Sequence, residues 1–215
     1  MGKDSRPEGR KAKAAELAAD AQKSERRATL LWRVGLGVLI VALVAGVALA
    51  VRSSRTPTVS ADDLRSRVTT FTDLGREHTD KRVDYMQFPP VGGDHNPAWQ
   101  NCGAYDKAIP EENGVHSLEH GAVWITYDPN LPADQVAKLT GLVPAHPYAL
   151  ITPYPGSKAP VVLSAWGVQL TVDSADSPDI ASFLKLYEQG PQTPEPGSAC
   201  TGGTGTPTVE SSAAA

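Results

Sequence analysis

Eighteen consecutive residues without a charge, Val34 to Val51, constrain this 215-residue chain more than any other feature. Coiled as a helix at 1.5 Å per residue, such a run rises about 27 Å, close to the hydrocarbon thickness of a bilayer. Trp32 stands where an interfacial aromatic belongs, and Arg33 and Arg52 bracket the run where their side chains can snorkel to the headgroups. The expectation is one spanning helix over 34–51, with the lipid bilayer as its partner. Local charge leaves its orientation tied: Lys23, Arg26, Arg27 and Arg33 precede the span, and Arg52, Arg55, Arg65 and Arg67 follow it. The tie is broken by length, because the N-terminal side is a short basic tail while the other side is a long segment that translocates regardless of its charge. A cell-membrane, single-pass protein follows, with its N-terminus cytoplasmic and its C-terminal domain extracytoplasmic. The alternative is a cleaved signal peptide, since Ala48-Leu49-Ala50 fits a small-residue cleavage site, although a charged leader of 33 residues is long for one.

Residues 1–33 carry nine Lys/Arg against five Asp/Glu, which leaves eleven against nineteen for the rest. The main domain is thus acidic and offers no basic face to displace counterions from phosphates, so nucleic acid is excluded as its partner. No sequence feature names a protein partner. Arg52 to Ser60 reads as a linker. Residues 191–215, rich in Pro, Gly, Ser and Thr, read as a disordered tail that carries Cys200. The folded domain is expected at 61–190.

Within it, Arg82–Phe88 and Val123–Tyr127 have strand composition, and Tyr148–Tyr154 followed by Val161–Val172 suggests a hairpin turning at Pro155-Gly156. Pro132–Leu142 and Ser177–Gln189 read as helices. In the second, Ser177 is a natural N-cap, Pro178 opens the first turn, and Ile180, Phe183, Leu184 and Tyr187 form one apolar stripe. Strand, helix, strand, strand, helix implies an α+β fold: a small, largely antiparallel sheet with two or three helices.

The two cysteines, Cys102 and Cys200, lie on the side expected to be oxidising, so a disulfide is the default. The alternative makes Cys102 a thiolate metal ligand. Of five histidines, His78, His95, His116 and His120 fall within 43 residues, where chance would place about one. His116-Ser-Leu-Glu119-His120 fits H-x-x-E-H, in which a helix sets both imidazoles on one face and the Glu serves as general base. The pattern works only on a helix, where i and i+4 lie about 5–6 Å apart; on a strand they would be about 13 Å apart. Gly114, Gly121 and the strand-like Ala122–Tyr127 leave room for one helical turn at most. Asp94, Glu119, Tyr85 and Tyr105 are candidate supporting partners or further ligands, and Met86 is a soft ligand should the metal be copper. Ser117 lies between the histidines, but nothing makes it a nucleophile. Pro89-Pro90 and Gly92-Gly93 predict a shaped loop delivering His95, with Trp99 and Trp124 as packing.

Gly75-Arg-Glu-His78, Tyr85, Pro89-Pro-Val-Gly-Gly-Asp-His95, Trp99-Gln-Asn-Cys-Gly103, Tyr105 and Val115-His-Ser-Leu-Glu-His-Gly-Ala-Val-Trp-Ile-Thr-Tyr127 together resemble the bacterial membrane-anchored family called domain of unknown function 3105. The resemblance covers roughly residues 60–190 and implies a single-pass protein with an extracytoplasmic domain. It supplies no activity. Three functional readings stand open: a tethered module that holds Zn or Cu through His95, His116 and His120 with His78; a metal-independent interaction domain stapled by Cys102 and Cys200; and a zinc hydrolase with Glu119 as its base.

Overall fold

The computed structural model describes Trp32, Leu36, Leu39 and residues 59–211. The latter fall within the second of the two units into which the chain divides, Thr56–Ala215. Among the described residues no helix is long and apolar enough to cross a membrane. Apart from those three residues, the expected spanning run 34–51 and the tail 1–33 lie outside the described part.

The domain opens with α1 (Ala61–Arg67), whose start is set by Ser60: its hydroxyl accepts from the Asp63 amide at 3.2 Å. Asp62 and Asp63 in the first turn and Arg65 and Arg67 in the last suit the helix dipole. Next come the short strands β1 (Thr69–Thr70) and β2 (Gly103–Ala104), then α2 (Glu111–Glu119), β3 (Val123–Tyr127) and α3 (Ala133–Thr140). β4 (Ala149–Pro153), β5 (Val161–Ala165), β6 (Val168–Val172), α4 (Pro178–Tyr187) and β7 (Val209–Glu210) complete the order. Ser177 caps α4 as its sequence predicts, its hydroxyl accepting from the Asp179 amide at 3.3 Å. Arg67 clamps α1 to α4 through Asp179, at 2.8 Å for one of its two contacts.

The strands form one sheet in the order β1-β6-β5-β3-β4-β2-β7. The α+β class holds, and four of the six strand pairings are antiparallel; two details differ, in that four α-helices are present among the described residues and β4 runs parallel to both β3 and β2, which makes the sheet mixed. The expected hairpin between 148–154 and 161–172 does not form, since β3 lies between β4 and β5. All five positions of β3, β4 and β5 are buried. Strands buried along their whole length need cover on both faces, and a central position in the sheet supplies it. The true hairpin is β5–β6, turning at Trp166-Gly167. Arg82–Phe88 is not a strand: the Val83 amide donates to the Glu112 carboxylate at 3.0 Å, Pro89-Pro90 withdraw two donors, and Met86 and Phe88 are exposed.

Alternation along the strands separates two cores. Val123, Ile125, Ala149 and Ile151 join Leu64, Leu139, Ile180, Phe183 and Leu184 on the face covered by α1, α3 and α4. Trp124 and Leu150 join Val115 and Leu118 of α2, Tyr105, Trp166 and the two cysteines on the other. The segment read as a disordered tail is ordered structure over 191–211: Cys200 is buried, the Glu195 amide donates to Glu119 O at 3.0 Å, and β7 pairs antiparallel with β2. Composition hid this because the segment is held by backbone hydrogen bonds and one covalent link rather than by apolar side chains.

Candidate metal centre

Cys102 and Cys200 form a disulfide, with Cα atoms 5.3 Å apart. The thiolate-ligand alternative for Cys102 is therefore closed. The Cys102 amide also donates to Cys200 O at 2.7 Å, and the Asn101 amide to Thr204 O at 2.9 Å, so the segment 195–204 is strapped across 99–102.

The H-x-x-E-H stretch is helical, contrary to the expectation of one turn at most. α2 runs for nine residues through Gly114, carries His116 and Glu119 on its last turn, and ends with His120 as its C-cap. Gly121 then reverses the chain into β3 at φ 95°, and a side chain there would collide with Gln189, whose amide donates to His120 O. His116 Nε2 and His120 Nε2 come to 3.0 Å.

Two loops supply the other imidazoles. His78 and His95 sit side by side on an isolated parallel bridge: the Thr79 amide donates to His95 O at 2.7 Å and the His95 amide to Glu77 O at 3.0 Å. Gly92 and Gly93 take the positive φ expected of the shaped loop, 151° and 123°. Asp94 accepts from the Glu77 amide at 3.0 Å, and Tyr85 Oη donates to Asp94 O at 2.8 Å, so both support the loop from outside the cluster. Tyr105 donates to Asn101 O at 2.7 Å and belongs to the core. Met86, 94% exposed, is no ligand here.

Donor atoms of His78, His95, His116 and Glu119 all lie within 4.8 Å of one another, and this group could hold a metal ion. Three of the four are buried, while the His78 side chain is half exposed. His120, expected among the ligands, touches this group through His116. The carboxylate of Glu119 faces two ways: Oε1 accepts from Arg76 Nε at 2.8 Å, and Oε2 lies 2.9 Å from His95 Nε2 and 4.0 Å from His78 Nε2. Sequence reasoning missed Arg76 and also Glu195, whose Oε1 is 3.8 Å from Arg76 and whose Oε2 is 3.7 Å from His120. No spacing signal links residues 76, 119 and 195.

The ring tautomers decide what the site can do. His95 Nδ1 donates to Gly93 O at 2.8 Å, and His116 Nδ1 to Asn96 O at 2.6 Å. A carbonyl oxygen only accepts, so in the neutral rings both protons are on Nδ1 and both Nε2 lone pairs face the cluster. Burial pushes the His116 imidazole down to about 4, aided by the neighbouring histidines and opposed by its bond to Asn96, so it is neutral at physiological pH. His95 Nε2, though 2.9 Å from Glu119 Oε2, is buried without a hydrogen-bond partner. In the neutral ring this lone pair and the carboxylate repel, and a cation between them, whether a proton or a metal ion, converts that cost into attraction. Backbone carbonyls on the Nδ1 side are the partners that metal-bound imidazoles characteristically keep.

Fold and site together define a disulfide-stapled α+β domain that gathers three imidazoles and a carboxylate on one side of a mixed sheet. The chain belongs to the family described as protein of unknown function (DUF3105), whose family model matches residues 77–202, a span that includes the whole cluster and both cysteines. No curated protein and no solved structure matches the chain.

Proposed function

We propose that this protein is a membrane-tethered, extracytoplasmic metal-binding module that holds one Zn or Cu(II) ion through His78, His95, His116 and Glu119. The observation that carries the reading is the convergence of four donor atoms within 4.8 Å of one another, with His95 fully buried, its Nδ1 held by Gly93 O and its Nε2 2.9 Å from Glu119 Oε2. The donor set of three nitrogens and one oxygen suits Zn or Cu(II). Among the described residues soft Cu(I) finds neither a thiolate nor a thioether, because both cysteines are in the disulfide and Met86 is exposed. Bonds of about 2.0–2.1 Å place tetrahedral donors about 3.4 Å apart, so binding draws the most distant pair inward by about an ångström. The half-exposed His78 is the side chain freest to make that move.

Glu119 acts here as a ligand and not as a general base, because Arg76 engages one of its oxygens and the other faces His95. Tethering rests on the apolar run 34–51, and placement outside the cytoplasm on the acidic domain beyond it and on the disulfide. Equilibrium dialysis of the full chain against Zn(II) and Cu(II), read by mass spectrometry, tests the central claim. One ion per chain that His95→Ala loses is the expected result. No ion bound after chelation and reloading, or equal loading of the variant, would overturn it.

A further inference from the structure

The cluster is closed on one side and open on the other. His95, His116 and Glu119 are buried, whereas the side chains of Arg76, His78 and Glu195 are each about half exposed and rim the opening. Arg76 belongs to both sides. Its Nε donates to Glu119 Oε1 at 2.8 Å, which leaves Oε2 as the oxygen that faces His95 and His78. Glu119 is thereby set to offer an ion one oxygen rather than two, and a position on the solvent side is left for another ligand. Zinc sites of four ligands can expand to five.

The terminal nitrogens of Arg76 lie at that opening. Nη2 stands 3.8 Å from Glu195 Oε1, beyond hydrogen-bond length, and among the described residues Arg76 makes no side-chain hydrogen bond except the one to Glu119. Charge points the same way. In the metal-binding reading, on which this inference rests, a divalent ion joins Arg76, and ligating imidazoles add no charge. The positive charges then exceed those of Glu119 and Glu195 by one. A partly desolvated centre with that surplus attracts an anion. The planar guanidinium fork matches a carboxylate, and Zn accepts carboxylate oxygen at about 2.0–2.2 Å.

We propose that the loaded centre binds the carboxylate of a small-molecule ligand on its open side, where the group bridges the ion and the terminal nitrogens of Arg76. Arg76 thus has two tasks: it restrains Glu119 to one ligating oxygen, and it selects a carboxylate over a neutral group of the same shape. Glu195 limits the selection, because its own carboxylate competes weakly for the same nitrogens.

Isothermal titration calorimetry of acetate into the full chain, loaded with the ion it takes up in dialysis, tests this, with neutral acetamide as the control. One acetate per chain is expected, with acetamide inert and the metal-free chain binding acetate at least about tenfold more weakly. Arg76→Gln removes charge and fork, and Arg76→Lys keeps the charge alone. Both should retain one ion per chain and bind acetate at least about tenfold more weakly, as loss of a charge-assisted hydrogen bond requires. No acetate bound by the loaded wild type, or either variant binding it as tightly as wild type, would overturn the carboxylate site and leave the metal centre standing. Variants that lose the ion together with acetate would overturn it too, since Arg76 would then serve only to hold Glu119. A wild-type chain that takes up no ion would overturn the metal-binding reading, and this inference with it.

Discussion

On one face of the sheet, Val123, Ile125, Ile151 and Leu163 meet Leu64, Leu139, Phe183 and Leu184, and the carboxylates at the two ends of α4 are each paired, Asp179 with Arg67 and Glu188 with His146. On the other, Trp124 and Leu150 share their burial with the Cys102–Cys200 disulfide and with α2, whose last turn presents His116 and Glu119. The first face is stabilised by removal of apolar surface from water. The second takes in desolvated polar groups and is held by a covalent link, backbone hydrogen bonds and, in the proposed reading, an ion. Stability and function are therefore assigned to opposite sides of one sheet, and each can be perturbed with limited effect on the other.

The largest effect is expected on the apolar face. Phe183→Ala removes a fully buried ring and should cost about 3–5 kcal/mol in denaturant unfolding, while the folded fraction still binds one metal ion. A loss of affinity as large as the loss of stability would break the separation of the two faces. Replacing both cysteines by serine should cost about 2–5 kcal/mol. Unlike the Phe183 change, it should also weaken metal binding, because the strap closed by the disulfide carries Glu195, whose amide donates to Glu119 O and whose carboxylate faces Arg76, the partner of Glu119. Metal affinity that survives loss of the disulfide would show that the strap is only a staple. The smallest effect belongs to Ser177→Ala, which removes the N-cap of α4 on the apolar side: about 1 kcal/mol by thermal melting, with metal affinity unchanged.

The same division explains what could be read from the sequence. α4 and α3 were legible because their caps and apolar spacing are local, and β3 because its five residues are all β-branched or aromatic. The pairing partner of β4 was not, since β3 enters the sheet between two strands that are nearer each other in sequence. Around the site, the clustering of four histidines and the pairing of two cysteines were legible. The helicity of His116–Glu119 was obscured by Gly114, which sits within α2 and does not end it. Arg76 and Glu195 reach the site from 43 residues before Glu119 and from a segment whose composition resembles a loose tail, so only the folded chain brings them together.

The most direct test is thermal unfolding of the full chain, metal-free and then with Cu(II) or Zn(II) at a hundredfold excess over its dissociation constant, for wild type and for Glu119→Gln. Mass action predicts that wild type gains about 2.7 kcal/mol from the ion. The variant, which lacks the carboxylate opposite His95 and gives up only the ion pair with the half-exposed Arg76, should gain much less. Superimposable wild-type transitions with and without metal, or an equal gain in the variant, would contradict a metal centre built on His95 and Glu119.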